Sequence, residues 1–265
     1  KKAVAWVEQC AMSLVESSNM VQLMDWVGRL PGTPLSQRLP LMVAEAWSLA
    51  LLFKFEDAER VLKQIELDLD QAQQNEREGI AFSVQVTRVL IMGLSDDTVA
   101  ASNLGGPLLD EWPSDIELPF AVGVLCNVLT FAYLHAGEFE KAKDVQLRAL
   151  DDNSGQTNLF VTVYRKNLIG LIALKQAKLE DAIRWFEEAL TLAEKAEGRR
   201  SLVATMSACF LSSVFYEQNR IDEADLLLAD RWDIIDEGCF IDSAMRAYLT
   251  AARIEWRQGE ATLAR

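Results

Sequence analysis

Two stretches forty residues apart can be laid over one another: HAGEFEKAKDVQLRAL (135–150) and KQAKLEDAIRWFEEAL (175–190). They agree at an alanine (Ala142, Ala182), at a larger apolar residue three before it (Phe139, Leu179) and at a later Ala-Leu pair (Ala149-Leu150, Ala189-Leu190). Each copy reads as a tight turn followed by an amphipathic helix. Self-similarity at a period of roughly 20–50 residues marks a solenoid, whose units bury their apolar faces only against their neighbours.

With the alanine as an anchor, the register extends to Ala58, Ala100, Ala142, Ala182, Ala224 and Ala264, at spacings of 42, 42, 40, 42 and 40 residues. A second small residue stands twelve before most anchors: Ala46, Thr130, Gly170, Ser212 and Ala252, with Arg88 the exception. Small side chains at both places let the two helices of a hairpin approach closely. Gly137 and Gly259 fall five before their anchors, where a helix end favours a left-handed residue, and Asn219 suits that place next best. Phe53, Ser95 and Ala177 adopt that conformation less cheaply, so their turns are expected to differ. In GLSDDTVAASNLGGPLLDEWPSDIELP (93–119) the Gly-Gly-Pro predicts a helix ending near Leu104 and a loop to Pro119.

Residues 1–30 read as an N-terminal helical hairpin, broken at Ser17-Ser18-Asn19, with Asn19 placed to cap the second helix. Residues 31–265 form the repeats, continuous with that hairpin and entered through the proline-rich connector PGTPLSQRLP (31–40). DDNSGQTN (151–158) and EKAEGRRS (194–201) read as loops between repeats. Trp6, Trp26, Trp112, Trp185 and Trp232 are expected to pack. The chain begins without Met and ends at ATLAR inside a helical pattern, as an excised piece of something longer would.

Half the residues are hydrophobic while Gly and Pro are sparse, which predicts an all-α chain. The net charge is −14, from 26 basic and 40 acidic residues. Nucleic-acid binding needs clustered Lys and Arg, so this balance argues against it and in favour of a solvated acidic face or a basic partner protein. Cys10, Cys126, Cys209 and Cys239 lie far apart with no Cys-x-x-Cys, as in a reducing cytoplasm. No apolar run reaches the ~18 residues of a membrane span. Glu8 and Gln9 interrupt the apolar start, which makes a poor signal peptide.

Catalytic chemistry finds little footing. His135, the only histidine, stands at a helix end, where an imidazole can bond a terminal carbonyl. A zinc site would need ligands the chain lacks. Asp96-Asp97, Asp151-Asp152 and Glu187-Glu188 read as solvated turns and helix faces. No phosphate-binding loop of the form Gly-x4-Gly-Lys-Ser/Thr is present. The chain is read as a non-enzyme with no cofactor and no metal.

The small–small pattern with its anchor Ala, turn Gly and following Ala-Leu resembles the tetratricopeptide repeat (TPR), at a longer spacing than that family's 34 residues. The order of WVGRLPGTPLSQRLPLMVAEAWSLALLFKFEDAERVL (26–62) is similar to the helical-repeat region of the large MalT-like LuxR-family transcriptional regulators. The resemblance implies a right-handed superhelix of antiparallel helix pairs. It also implies a sensor of a small-molecule inducer or regulatory protein, set between an ATPase switch and a helix-turn-helix domain and acting through oligomerisation. A peptide-binding TPR scaffold unconnected with transcription is the alternative.

In a TPR-like array the first helix of each repeat lines the concave face. Fifteen residues before the anchors stand Gln85, Asn127 and Asn167, an amide row suited to sugar hydroxyls or a peptide backbone. Trp47, Phe131 and Arg253 stand eleven before, Tyr164 and Arg246 eighteen before, and Tyr216 and Trp256 eight before. With Arg257, Arg246 and Arg253 would form a cluster able to meet a carboxylate or phosphate. The same polar residues can simply face water, and the aromatics can be core.

Overall fold

Each hairpin turns on one residue with a left-handed backbone: Ser18, Phe53, Asp96, Gly137, Ala177 and Asn219, with φ between 59° and 76°. The N–H of the next residue donates to a carbonyl five positions back, as from Lys54 to Leu49 and from Glu138 to Tyr133, both 2.8 Å. The left-handed residue itself donates three back, as from Phe53 to Ala50 (3.1 Å). This double closure satisfies carbonyls that a helix end leaves bare. The turns at Phe53 and Ala177 therefore do not differ from the glycine ones, contrary to expectation.

A computed structural model describes residues 2–30, 39–69, 74–111, 118–151 and 158–259. Within them lie fourteen helices and no strand: α1 (Lys2–Glu16), α2 (Met20–Arg29), α3 (Leu39–Leu51), α4 (Phe55–Leu69), α5 (Gln74–Leu94), α6 (Thr98–Asp110), α7 (Pro119–His135), α8 (Phe139–Asp151), α9 (Leu159–Lys175), α10 (Leu179–Glu197), α11 (Leu202–Glu217), α12 (Ile221–Leu228), α13 (Trp232–Gly238) and α14 (Ile241–Gln258). The architecture is an all-α, TPR-like helical repeat. Contacts divide it into two compact units, Lys1–Val161 and Thr162–Arg265.

In the first unit, α3 packs on α1, α2, α4 and α5, and α7 packs on α5, α6 and α8. In the second, α11 packs on α10, α12, α13 and α14. Helices such as α3, α7 and α11 are apolar nearly all round because neighbours cover them on every side, whereas α4 and α10 bury one stripe.

Counting five residues from each left-handed turn gives the true anchors: Leu23, Ala58, Ala101, Ala142, Ala182 and Ala224, all fully buried. Their spacings are 35, 43, 41, 40 and 42 residues. Two expectations change. The third anchor is Ala101, while Ala100 is only half-buried, and Asp96, not Ser95, takes the turn. The α1–α2 hairpin closes by the same geometry as the repeats, with a leucine as anchor. Ala264 and the connector residues 31–38 lie outside the described residues, as do Trp112 and residues 152–157.

The shift by one also resolves the exception at Arg88. Val89 is the buried residue at that level, and Arg88 forms ion pairs across to α4, with Glu59 (3.1 Å) and Glu66 (2.5 Å). Helix α6 does not stop at Leu104 but runs through Gly105-Gly106-Pro107 to Asp110. Pro107 is exposed, as is Asn103, whose carbonyl loses its helical donor there, so water can serve it. A Cβ on Gly105 would lie 3.0–3.1 Å from Leu129, Leu125 and Val89, so that glycine is set by the approach of α7. Asn19 stands at the start of α2 but does not cap it; its side chain donates back to Ser17 at 3.0 Å. The second helix of the α11 hairpin is split, with α12 ending at Leu228 and a further left-handed residue, Asp230, leading into α13.

Close approach gives a stability prediction. A Cβ at Gly170 would meet the Phe186 ring at 2.5 Å, whereas one at Gly28 meets nothing within 4 Å. Gly170→Ala is expected to cost ~1–3 kcal/mol through overpacking. Gly28→Ala, in a helix interior, should gain ~0.5–1 kcal/mol. Urea titration of both variants checks the opposite signs.

The Arg88 pair predicts a pH dependence. The hydrogen bond from Arg88 holds the Glu66 carboxyl below its ordinary value. The folded state therefore binds that proton less readily than the unfolded chain, so the pair adds stability at neutral pH. That stability is lost as pH falls below the ordinary value of 4.5 and through the depressed one. The gap in melting temperature between wild type and Arg88→Met should be widest near neutral pH and narrow on acidification.

Candidate functional site

The amide row does not stand open. With the register corrected, Val86 takes the place read for Gln85, which is half-buried one residue away. Asn127 is 4% exposed. Its Nδ2 donates to the Val161 carbonyl (3.1 Å), and its Oδ1 accepts from Gln146 Nε2 (3.2 Å). Gln146 also donates to Thr130 Oγ1 (2.7 Å), which in turn donates to the Cys126 carbonyl (2.7 Å). This network ties α7 to α8 and to the start of α9. Asn167 is fully buried and donates to Ser207 Oγ on α11 at 3.0 Å. Trp47, also fully buried, donates from Nε1 to Ser83 Oγ at 2.8 Å, with its ring 5.2 Å from Phe120. These three residues hold helices together and are not on an open face.

Phe131 is half-buried and its ring lies 4.3 Å from that of His135, which is exposed at the end of α7. Tyr164 packs edge-on against Phe240 at 5.1 Å, and burial, reinforced by Asp242, pushes its phenol up. Arg246 lies 3.4 Å from that same Asp242 and over the Phe210 ring at 5.7 Å. Tyr216 and Arg253 are brought together, the guanidinium 5.8 Å over the ring and paired with Glu217 at 2.9 Å. Trp256 is 68% exposed. Arg246 and Arg253 are thus each engaged by a carboxylate, while Arg257 is exposed.

Of the tryptophans expected to pack, Trp26, Trp185 and Trp232 are half-buried and Trp6 is exposed. Trp6 is exposed beside Trp26 (5.4 Å), Trp185 lies under Lys166 Nζ (4.9 Å), and Trp232 is 5.4 Å from Tyr248. The Arg199-Arg200 pair is not idle loop either. Arg199 donates to the Leu226 carbonyl (2.8 Å) and Arg200 pairs with Asp233 (2.5 Å), closing the C-terminal end of α12.

A further surface, of which only Trp256 is among the expected groove residues, is apolar. Ile241, Met245, Tyr248, Leu249 and Trp256 follow helical spacing along α14 and are all at least half exposed. In the five preceding repeats the residue ten before the turn is buried: Val43, Val86, Asn127, Asn167 and Cys209. Its counterpart on α14, ten before Gly259 (φ 88°), is Leu249, 53% exposed. Four residues earlier Phe82, Gly123, Val163 and Thr205 are buried and Leu39 is half-buried, whereas Met245 is bare. Periodicity reveals the stripe, but not whether something covers it.

Comparison with known proteins is decisive for the family. The MalT-like TPR region model matches residues 83–265. The chain belongs to the MalT-like TPR region family. Proteins named serine/threonine-protein kinase PknK, from Mycobacterium tuberculosis and Mycobacterium bovis, are 25% identical over 98% of the chain. The chain spans 23% of their length. MalT-like TPR regions are structural and regulatory rather than catalytic, and their general role is effector sensing and protein interaction. Among the described residues, no helix is long and apolar enough to cross a membrane, and no group of three or more His, Cys, Asp or Glu is placed to hold a metal ion.

A structural role for Asn127 predicts a specific loss. Asn127→Ala removes the side-chain donor to the Val161 carbonyl and one acceptor from the buried Gln146, at a cost of ~1–3 kcal/mol. The urea midpoint should fall with the slope unchanged.

Proposed function

We propose that this chain is the effector-sensing and protein-interaction repeat region of a larger MalT-like, ATP-dependent regulator of the LuxR family, working in the cytoplasm. The observation that carries the reading is the bare apolar face of α14. At the level of Leu249 the equivalent residue of the five preceding repeats is buried among the chain's own helices, so the occupant that fits this face is a further amphipathic helix of the longer protein. An effector that favours the docked arrangement shifts the equilibrium only by its differential affinity for the two states. Tyr216 and Arg253, accessible beside that face, are the residues proposed to meet the effector, while Trp256, on the face itself, is proposed to meet the docked helix. Phe131 and Gln85 are proposed as weaker contacts on the first unit. The ATPase switch and helix-turn-helix domains, and homo-oligomerisation, belong to this proposal.

A second reading rests on the relatives. A repeat of this sequence pattern also occurs in proteins named as kinases. That favours an interaction module used by signalling proteins with different outputs, transcription being only one of them.

The test is amide hydrogen exchange along α14 in the 265-residue chain and in the longer natural protein. Slowing of Met245–Trp256 by ten-fold or more in the longer protein, abolished by Met245→Asp with Leu249→Asp, is the expected result. Equal exchange in both overturns the docking. The double variant should leave the short chain within ~0.5 kcal/mol of wild type, because these side chains touch little within it.

A further inference from the structure

The break between α12 and α13 turns an arginine inward. Asp230 takes a left-handed backbone (φ 61°), and the residue after it, Arg231, is held on both sides by the main chain. Its N–H donates to the Leu228 carbonyl (3.2 Å), and its own carbonyl accepts from Ile234 (3.0 Å) and Ile235 (2.9 Å). The side chain is fully buried. Its Nη2 donates to Glu194 Oε1, on α10, at 2.6 Å. Nε and Nη1 are buried as well, with no hydrogen-bond partner among the described residues. Buried side-chain donors nearly always have an acceptor, and a cation that lacks one is costly, so these two donors call for a partner.

The charge around them says which kind. Glu194 is shared, because Arg199 Nη1 lies 3.9 Å from the same oxygen that Arg231 holds. Arg199 is fixed there by donating from Nη2 to the carbonyls of Leu226 (2.8 Å) and Ala229 (3.3 Å). Arg200 is balanced by Asp233 and adds nothing. Two guanidiniums thus face one carboxylate, which leaves one positive charge uncompensated beside a side chain with no exposure. Burial holds the Arg231 pKa below the usual arginine value against the bond to Glu194, and the like charge of Arg199 adds to burial. A water molecule could accept from one donor. It would also bring two hydrogens that need acceptors of their own, and it would leave the charge as it stands. A large acid would need an opening that an enclosed guanidinium does not offer.

We propose that Arg231, with Arg199 and Glu194, forms a binding site for one small monovalent anion of the halide class, which accepts from the unmet Nε or Nη1 donor and balances the second guanidinium. The ion joins α10 to the α12–α13 break, so it stabilises the folded second unit by mass action. Glu194 is a competitor as well as a partner: its carboxylate supplies part of the negative charge the two arginines attract, so neutralising it strengthens the pull on the ion. The site uses neither the apolar face of α14 nor the effector contacts, and it stands or falls apart from the function proposed above.

The experiment compares the melting temperature of the 265-residue chain in sodium chloride and in sodium gluconate at equal ionic strength, gluconate being too large for an enclosed site. The expected result is a melting temperature ~3 °C or more higher in chloride, saturating as chloride replaces gluconate. Crystals grown from sodium bromide should show an anomalous peak beside Arg231 Nε or Nη1. Glu194→Gln should lower the half-saturating chloride concentration ten-fold or more, and Arg231→Met should remove the chloride dependence. If Arg231→Met does not fold, Glu194→Gln and the bromide peak still decide the matter. Equal melting in the two salts overturns the proposal, even with a bromide peak, which is then an adventitious ion only. Water alone at Arg231, bromide confined to the exposed arginines, or an unchanged half-saturating concentration in Glu194→Gln overturns it equally.

Discussion

The left-handed residue at the head of each hairpin governs how closely two helices can approach. Reversing the chain in so few residues, while serving the carbonyls of the ending helix, leaves little choice but this conformation. Its strain at a residue other than glycine is ~1–3 kcal/mol. Ser18, Phe53, Asp96, Ala177 and Asn219 all bear it, so it must be offset by what the turn makes possible. The offset lies five residues on, where Leu23, Ala58, Ala101, Ala182 and Ala224 are removed from water completely. At Phe53 the side chain contributes too, its ring meeting Phe55 edge-on at 5.9 Å. Sequence at the turn is free to vary because the demand is placed on the backbone and met by packing elsewhere.

That division explains which parts of the fold were legible. The anchor alanines showed in the sequence because few residues are small enough to sit between two close helices, so the period could be counted. The third repeat slipped by one because Ala100 and Ala101 are adjacent and Ser95 and Asp96 are equally plausible turn residues. Only the burial of Ala101 separates them. The first hairpin escaped the count because Leu23 does at wider spacing what alanine does elsewhere. The Gly-Gly-Pro of α6 misled because helix propensity is local, while Gly105 is there to admit Leu125 and Leu129 from another helix. The split between α12 and α13 carried no glycine or proline to announce it.

The site was less legible, for a physical reason. A helix covered on all sides has no polar face, so a polar residue in it cannot be assigned to solvent by period. Asn127 and Asn167 fell at a repeated level because the interior wants a hydrogen bond there, between Gln146 and the Val161 carbonyl in one case and toward Ser207 in the other. Val86 and Cys209 occupy the same level with little or no polar demand, which shows that the position is an interior one filled by whatever its neighbours require. On α14 the same levels carry Met245 and Leu249, residues as apolar as any in the core, yet both are more than half exposed.

The arginines follow one logic in an acidic chain. Arg88 joins two carboxylates of α4, Arg199 and Arg200 close the end of α12, and Arg253 is held by Glu217 over Tyr216. Arg200 and Arg253 are more than half exposed, so their ion pairs are weak and exchangeable, worth ~0–1 kcal/mol. Arg231 is the opposite case. It is fully buried and bonded to one carboxylate by one of its nitrogens, so water cannot serve its remaining donors.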